Sequence, residues 1–194
     1  MARKREFDKD KVLEMAMLHF WKNGYEATSI RDLKKVMGIS SSSMYETFGD
    51  KDSIFMAALE RYCEIERAQV SEMIDRAANA IEFIEDLFKS IDRVLPGGSQ
   101  QYGSMTFNTM AEFGTGKPAV TDLLFTHFLG IAEIIADVLR DAQQTNDISA
   151  TDDPLHLAHV IISNLQGLAT IKSMKPDYAY ADAFLKIILR VLKS

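Results

Sequence analysis

Residues 28–51 read TSIRDLKKVMGISSSSMYETFGDK, and this stretch decides the fold. In its first part, apolar residues recur at helical spacing, which predicts a short helix with one apolar face. These residues are Ile30, Leu33, Val36 and Met37. Gly38 follows, and glycine adopts the left-handed backbone conformation that ends many helices without steric cost. The pattern therefore predicts a helix that ends in a tight turn.

A second short helix is predicted to follow the turn at once. Ser40 is a good N-cap because its hydroxyl accepts a hydrogen bond from an unpaired backbone N–H, and Thr28 is the corresponding residue for the first helix. Met44 and Phe48 lie four positions apart and form the inner face of the second helix. Asp50 caps a third helix directly afterwards. This order is that of a helix-turn-helix, whose second helix lies in the major groove of DNA.

The outer face of the second helix carries small hydroxyl side chains and a tyrosine instead of the usual Glu and Lys. Small side chains let a helix lie deep in a groove, and hydroxyls bond to phosphates and base edges. Lys51 lies at the N-terminus of the third helix, where a phosphate binds well. Helical hairpins with a glycine turn also occur in proteins that do not bind DNA, so spacing alone leaves both interpretations open.

Three segments of this region closely resemble the N-terminal domain of the TetR family of bacterial transcriptional regulators. They are residues 24–33 (GYEATSIRDL), 38–40 (GIS) and 44–51 (MYETFGDK). The family pattern runs G-[FY]-x-x-[TS]-[ST]-[VI]-x-x-[IL], then G-[VI]-[ST], then [LIM]-Y-x-[HY]-F-x-[SDN]-K. The resemblance covers roughly residues 8–55 and is weak beyond them, where the family itself is variable.

The resemblance implies an all-α chain with a three-helix DNA-binding head, residues 1–50, and a ligand-binding and dimerisation domain, residues 51–194. It also implies a ligand-responsive, sequence-specific regulator, by family habit a repressor that leaves its double-stranded DNA operator when a small molecule binds. The implied DNA-contacting residues are Thr28, Ser29, Arg31, Ser40, Ser41, Ser42, Ser43, Tyr45, Thr47 and Lys51.

The chain departs from the family habit on the second helix, at Ser41, Ser42, Glu46 and Thr47. These changes leave the fold untouched and affect the operator sequence. Glu46 would repel a phosphate, so it faces away from the DNA backbone or reads a cytosine amino group.

The periodicity of the whole chain favours about nine helices, and no segment shows sustained strand alternation. The predicted helices cover 9–23, 29–37, 41–47, 51–77, 80–94, 102–112, 119–144, 153–173 and 178–192.

The 194 residues carry a formal net charge of −6, which at first argues against DNA binding. Residues 1–51 hold ten Lys and Arg against eight Asp and Glu, whereas residues 52–194 hold twelve against twenty. The positive charge is therefore concentrated in the head, and the acidic body favours one orientation on DNA.

Cellular location follows from the absence of certain segments. No run of about 18 uncharged apolar residues is present, so no membrane span is expected. The basic start is not followed by an apolar segment, so no secretory leader is expected. The one cysteine, Cys63, excludes an internal disulfide and suits a reducing cytosol, so a cytoplasmic protein is predicted. Cys63 is either a redox switch on the helix linking head and body, or a buried, inert thiol.

The last two predicted helices favour a homodimer. The final helix carries two apolar stripes, where a surface helix of a monomer needs only one. One stripe holds Tyr178, Ala181, Leu185, Ile188 and Leu192, and the other holds Tyr180, Phe184, Ile187 and Val191. Family members usually dimerise through these two helices as a four-helix bundle. The predicted interface residues are Leu155, Ile162, Tyr180, Phe184, Ile187 and Val191, and the alternative is that both stripes are buried within one chain.

The middle helices are predicted to enclose a mostly apolar cavity with few polar groups, the usual character of a small-molecule site. The candidate ligand-binding residues are Tyr62, Glu66, Met105, Asn108, Thr109, His127, Phe128 and Asn164. His127 falls on the apolar face of its helix, so a hydrogen-bonded core histidine is the alternative to a ligand contact. No cofactor is implied, and the identity of the effector is left open.

Two other functions fit parts of the sequence. His156 and His159 lie three positions apart and suit a metal together with Asp152 or Asp153, as in an enzyme. The chain lacks HExxH, GxSxG and a glycine-rich phosphate loop before a helix, so no catalytic residue, metal site or enzymatic activity is predicted. A helical dimeric adaptor without DNA binding is the remaining alternative, supported only by Ser41, Ser42, Ser43 and Glu46.

Overall fold

The computed structural model describes residues 7–91, 102–175 and 181–194, and within these ranges it contains nine α-helices and no strand. The helices are α1 (Lys9–Asn23), α2 (Ile30–Met37), α3 (Ser41–Phe48), α4 (Lys51–Arg76), α5 (Ala80–Ser90), α6 (Met105–Phe113), α7 (Pro118–Gln144), α8 (Pro154–Met174) and α9 (Ala181–Lys193). The predicted all-α fold class is confirmed.

Most predicted helix bounds agree with the structure to within a residue. The helix predicted from 102 begins later, at Met105, because the Ser104 hydroxyl caps it by accepting the Phe107 N–H at 3.3 Å. The predicted end of the fifth helix at 94 and the predicted start of the last at 178 lie outside the described residues.

The head consists of α1 to α3, packed around an apolar cluster that also includes the first half of α4. Leu33 and Met37 of α2 and Met44 of α3 are each at most 2% exposed, so the predicted inner faces are buried. Gly38 ends α2 in the left-handed region at φ 66°, and its N–H donates to the Lys34 carbonyl at 3.2 Å. The predicted glycine turn is therefore present.

Two predicted caps set the starts of α3 and α4. Ser40 Oγ accepts the Ser43 N–H at 3.1 Å, and Asp50 Oδ1 accepts the Ser53 N–H at 2.8 Å. Both side chains satisfy donors that a helix start leaves unpaired, and both predictions are confirmed.

The predicted cap of α2 is wrong by one residue. Ser29, not Thr28, caps this helix, in a reciprocal capping box with Asp32. Thr28 is 1% exposed, and its hydroxyl donates to the Gly24 carbonyl at 2.6 Å. The Thr28 side chain is therefore directed into the protein and cannot cap the helix.

α4 joins the head to the body. Its 26 residues make it about 39 Å long at 1.5 Å per residue. Phe55 and Tyr62 in its first part belong to the apolar cluster of the head, whereas Val70 and Met73 belong to that of the body. Any shift of this helix is therefore transmitted to both clusters.

The body consists of the rest of α4 and helices α5 to α9, packed around a second apolar cluster. α9 shows which of its two stripes faces this cluster: Ile188 and Leu192 are 7% and 1% exposed, whereas Ile187 and Val191 are 49% and 38% exposed. The stripe of Ile188 packs on the core, and the stripe of Ile187 is directed away from it.

α7 is the one helix of the described ranges that is long and apolar enough to cross a membrane, with a mean hydropathy of 1.6. The same length and composition suit the central helix of a folded core. Ile135, Ala136 and Leu139 are 0% exposed, and α7 packs against α4, α5, α6 and α8. This packing favours a core helix.

Candidate DNA-binding surface and ligand cavity

α3 exposes part of the surface that the sequence predicts for DNA. Tyr45 is 50% exposed and Ser42 is exposed, whereas Ser41, Ser43 and Thr47 are half-buried. Apart from Tyr45 and the exposed Glu46, the side chains that α3 presents here are small, which favours a close approach of its backbone to a groove.

The serine hydroxyls at the start of α3 are linked. Ser40 Oγ lies 3.1 Å from Ser42 Oγ and 2.9 Å from Ser43 Oγ. Since Ser40 Oγ also accepts a backbone N–H, this hydroxyl is committed to the cap. Ser42 and Ser43 keep hydrogen-bonding capacity that a phosphate or a base edge can use.

α2 contributes a cationic strip beside the turn. Ser29, Arg31, Asp32, Lys34 and Lys35 border one surface depression. Three of these five side chains are cationic, as phosphate contacts require, and the acidic one, Asp32, belongs to the capping box with Ser29. Thr28 is buried and so does not belong to this surface, which corrects its predicted DNA contact.

Lys51 is half-buried at the start of α4, and its Nζ lies 4.0 Å from the centre of the Tyr25 ring. Lys117 belongs to the α6–α7 corner, residues 112–117, and its Nζ lies at the same distance of 4.0 Å from that ring. Cation–π contacts of this kind hold an ammonium group in place. Lys51 is thereby kept beside the N–H groups of the α4 N-terminus, which also favour an anion.

Hydrogen bonds join the α6–α7 corner to the head. Glu112 accepts the backbone N–H groups of Tyr25 and Glu26 at 3.0 and 2.8 Å. Lys117 Nζ lies 2.7 Å from Asp52 Oδ1, which also accepts the Tyr25 hydroxyl. The bond from Lys117, followed by that from Tyr25, lowers the pKa of the Asp52 carboxyl, while burial raises the pKa of the Tyr25 phenol.

An aromatic cluster joins the head to the same corner. The Phe55 ring lies 5.0 Å from those of Phe20 and Tyr25 and 5.5 Å from that of Phe113, between ring centres. These four rings come from α1, the α1–α2 loop, α4 and α6. Head and body therefore share apolar packing at this point.

The body contains a cavity of about 760 Å³, lined by residues of α1 and of α4 to α8. This volume falls within the roughly 300–1,000 Å³ usual for small-molecule sites, and the lining is mostly apolar, as such sites are. The larger apolar side chains of the lining include Trp21, Ile65, Phe107, Met110, Phe128 and Ile131.

One wall of the cavity carries a chain of hydrogen-bonding groups. His127 Nε2 lies 2.8 Å from Glu66 Oε2, and His127 Nδ1 lies 3.4 Å from a guanidinium nitrogen of Arg67. Arginine can only donate, so Nδ1 accepts and Nε2 donates to the carboxylate. Burial, followed by the charge of Glu66, raises the pKa of Tyr62 well above its ordinary value.

Half of the predicted ligand residues line this cavity, namely Tyr62, Glu66, His127 and Phe128. Met105 and Thr109 of α6 do not; they are 1% and 4% exposed, and Met105 packs in the apolar cluster of the head. Thr106, Phe107 and Met110 face the cavity instead. α6 is apolar on more than one side, so the sequence pattern did not reveal which face meets the ligand.

The two predicted asparagines also lie outside the cavity lining. Asn108 donates to the Tyr102 carbonyl at 2.6 Å, and Asn164 donates to the Val160 carbonyl at 2.7 Å. Trp21 also lines the cavity. The sequence pattern does not indicate this position, because Trp21 belongs to α1 of the head. Its Nε1 donates to the Gly103 carbonyl at 2.9 Å, which turns the indole toward the body.

The predicted interface residues differ in how exposed they are on the chain. Ile187 and Val191 are exposed on α9. Ile162 is 4% exposed and lines the cavity, so its placement at an interface is wrong. Leu155 and Phe184 are half-buried against the body core, and Tyr180 lies outside the described residues.

α8 offers other apolar positions on its exposed side. Val160 and Ile171 are 49% and 38% exposed. A Cβ added at Gly167, between them in sequence, would meet no neighbouring atom within 4 Å. With Ile187 and Val191 of α9, they form a set of exposed apolar side chains on the last two helices, called here the α8–α9 face.

Cys63 is 0% exposed in α4. Burial, followed by the charge of Glu66, raises the pKa of Cys63 to about 12. A thiol with such a pKa stays protonated and unreactive at neutral pH. This result favours the inert thiol over the redox switch.

The two histidines of α8 are arranged differently from a metal site. Among the described residues, no group of three His, Cys, Asp or Glu side chains is placed to hold a metal ion. The half-buried His159 ring stacks on Phe128, with 5.6 Å between ring centres, whereas His156 is exposed. His159 is therefore packed against α7.

A glycine-turn helix pair on a helical body with an internal cavity is the arrangement expected of a helix-turn-helix transcriptional regulator. A family model described as bacterial regulatory proteins, tetR family, matches residues 12–58, and one described as tetracyclin repressor-like, C-terminal domain, matches residues 83–188. The second match alone spans more than half of the chain. The chain belongs to the TetR family of bacterial transcriptional regulators.

Individual relatives agree with this assignment. The HTH-type transcriptional repressor ComR of Escherichia coli K12 is 26% identical over 169 residues, 87% of this chain and 80% of ComR. An uncharacterized HTH-type regulator of Bacillus subtilis, YezE, is 38% identical over 89 residues, 46% of each chain.

Solved structures share the fold. A cysteine mutant of the TetR family regulator CifR, complexed with 26-bp double-strand operator DNA, aligns over 98% of each chain with a TM-score of 0.79 and 26% identity. A TetR family regulator from Cytophaga hutchinsonii aligns with a TM-score of 0.83, over 97% of this chain and 96% of its own, at 16% identity.

Proposed function

We propose that this chain is a dimeric cytoplasmic repressor that binds an operator through its head, residues 1–50, and leaves it when a small molecule occupies the cavity of its body, residues 51–194. The observation that carries the proposal is the path of α4. Lys51 at its first position belongs to the candidate DNA surface, and Glu66 and Gln69 of the same helix line the cavity. The name of ComR supports repression over activation.

The proposed DNA surface comprises α3, the start of α2 and the start of α4. Its residues are Ser29, Arg31, Ser40, Ser41, Ser42, Ser43, Tyr45, Thr47 and Lys51. The operator complex of CifR supports this use of the head. The framework residues Gly38, Met44, Tyr45, Phe48 and Lys51 are expected to present α3 to the groove, and the serines at positions 41–43 are expected to read the bases.

The proposed dimer forms through the α8–α9 face. Four exposed apolar side chains on the two helices would otherwise remain in water. A twofold dimer presents its two α3 helices to DNA about one helical turn, or a small multiple, apart.

Two routes lead from the cavity to the head. α4 is the first. α6 is the second, because Phe107 and Met110 line the cavity and Glu112 of the same helix accepts N–H groups of the α1–α2 loop. A ligand that favours another position of these helices weakens operator binding by its differential affinity for the two states.

Replacing Lys51 with alanine tests DNA binding itself. Loss of a phosphate contact is expected to weaken binding on all sequences alike and to lower the slope of log affinity against log salt by about one per contact. Fluorescence anisotropy with a labelled duplex at several salt concentrations measures both quantities. Lys89→Ala, which removes the same charge from α5 of the body, should leave the slope unchanged.

The same titration separates the regulator from a dimeric adaptor without DNA binding. The adaptor would show weak duplex binding that Lys51→Ala does not alter. Family membership places the chain among regulators, and we propose no catalytic activity for it.

A further inference from the structure

Glu66 gives the cavity wall a hydrogen-bond acceptor whose lone pairs are only partly used by the described residues. Its side chain is 23% exposed and lines the cavity. A carboxylate offers about four lone-pair positions. His127 occupies one of them. The carboxylate can therefore accept further hydrogen bonds from a ligand.

His127 is hydrogen-bonded to Glu66 and is not itself available to a ligand. Its side chain is 6% exposed, and both ring nitrogens have partners, Glu66 on one side and Arg67 on the other. His127 is a positioning residue, which fixes the carboxylate against the wall. The polar feature that a ligand meets on this wall is thus an anionic acceptor.

Aromatic side chains line the same cavity as this acceptor. Trp21 and Tyr62 lie edge to face with 4.9 Å between ring centres, and Phe107 and Phe128 complete the aromatic part of the lining. Aromatic faces and a carboxylate together stabilise an ammonium group. A ligand carboxylate would instead be desolvated beside Glu66 and repelled by it.

Three other charged groups belong to the lining, Glu72, Arg76 and Lys172. Glu72 and Arg76 pair with each other at 3.6 Å, and their side chains are 65% and 54% exposed. Lys172 is half-buried and interacts within the chain. Glu66 is therefore the charge best placed to select a ligand.

We propose that the cavity binds lipophilic amines, apolar molecules whose ammonium group is recognised by Glu66 against the aromatic lining. This inference rests on the proposed function, since it concerns the same cavity. It adds the chemical class of the effector.

Trp21 reports the binding directly, because it is the one tryptophan of the sequence and it lines the cavity. The full-length protein is titrated with phenylbutylamine, phenylbutanol and phenylbutyrate, which share one apolar body and differ in the polar end. The amine is expected to bind about tenfold or more tightly than the alcohol, as a charge-assisted hydrogen bond requires. Phenylbutyrate is expected to bind most weakly.

Glu66→Gln keeps the size of the side chain and removes its charge, and the preference for the amine should fall below about threefold. Glu60→Gln removes the same charge from an exposed position of α4 outside the cavity lining and should keep the preference. Circular dichroism establishes that both variants are folded. Equal binding of the three compounds, a preference for phenylbutyrate, no binding of any, or an amine preference that survives in Glu66→Gln would each overturn the proposal.

A separate titration with operator DNA distinguishes the two proposals. If the amine binds with the Glu66-dependent preference but leaves operator affinity unchanged, the ligand class stands and the proposed ligand response fails. If the amine also releases the operator, both stand.

Discussion

Replacing Ile187 with aspartate is expected to convert the dimer into monomers and to weaken operator binding by about a hundredfold or more. Ile187 is 49% exposed on α9, so the charge is tolerated in the isolated chain but not between two apolar faces. The loss of affinity is large because a dimer binds its second half-site as an intramolecular step. A monomer has only one head and loses that advantage.

Analytical ultracentrifugation gives the oligomeric state of this variant, and anisotropy with the operator gives its affinity. Phe125→Asp is the matched control, since Phe125 is 60% exposed on α7, outside the α8–α9 face. It should remain dimeric. A monomeric wild-type protein, or an Ile187→Asp variant that stays dimeric, would show that the α8–α9 face is not the interface.

Replacing Phe55 with alanine is expected to lower the free energy of unfolding by about 3–5 kcal/mol. Phe55 is 2% exposed, and its ring contacts those of Phe20, Tyr25 and Phe113. The substitution leaves a cavity where head and body share their packing. The two parts should then separate more readily, as well as unfold more readily.

Urea denaturation followed by Trp21 fluorescence and by far-UV circular dichroism measures both effects. In the wild type the two signals should change together, because the aromatic cluster couples head and body into one cooperative unit. Phe125→Ala, at an exposed ring, should change stability by no more than about 0.5 kcal/mol. Two separate transitions in the wild type would argue against the coupling on which the ligand response depends.

The head could be predicted almost completely from sequence, since its determinants are local. Gly38 ends α2, and Ser40 and Asp50 cap the next helices. Each of these residues forms its hydrogen bond with a group only three or four positions away in the sequence. The one error, at Thr28, arose because Thr28 and Ser29 are both good caps. The Gly24 carbonyl decides between them, since it accepts the Thr28 hydroxyl.

The cavity could be predicted only in part, because its lining depends on the rotation and packing of distant helices. Glu66 and His127 were identified from single helical faces of α4 and α7. The sequence pattern predicts the wrong face of α6 as cavity lining. No pattern indicates Trp21, whose indole reaches the body through a hydrogen bond to the Gly103 carbonyl. The bonds of Glu112 to the head span more than 80 residues and have no sequence pattern.

The proposed dimer should read a specific DNA sequence. A selection from a pool of randomised duplexes, followed by sequencing of the bound fraction, measures this property. We expect enrichment of an inverted repeat whose half-sites are centred about one helical turn, or a small multiple, apart. Failure to enrich any sequence over the starting pool would show that the protein does not bind DNA sequence-specifically.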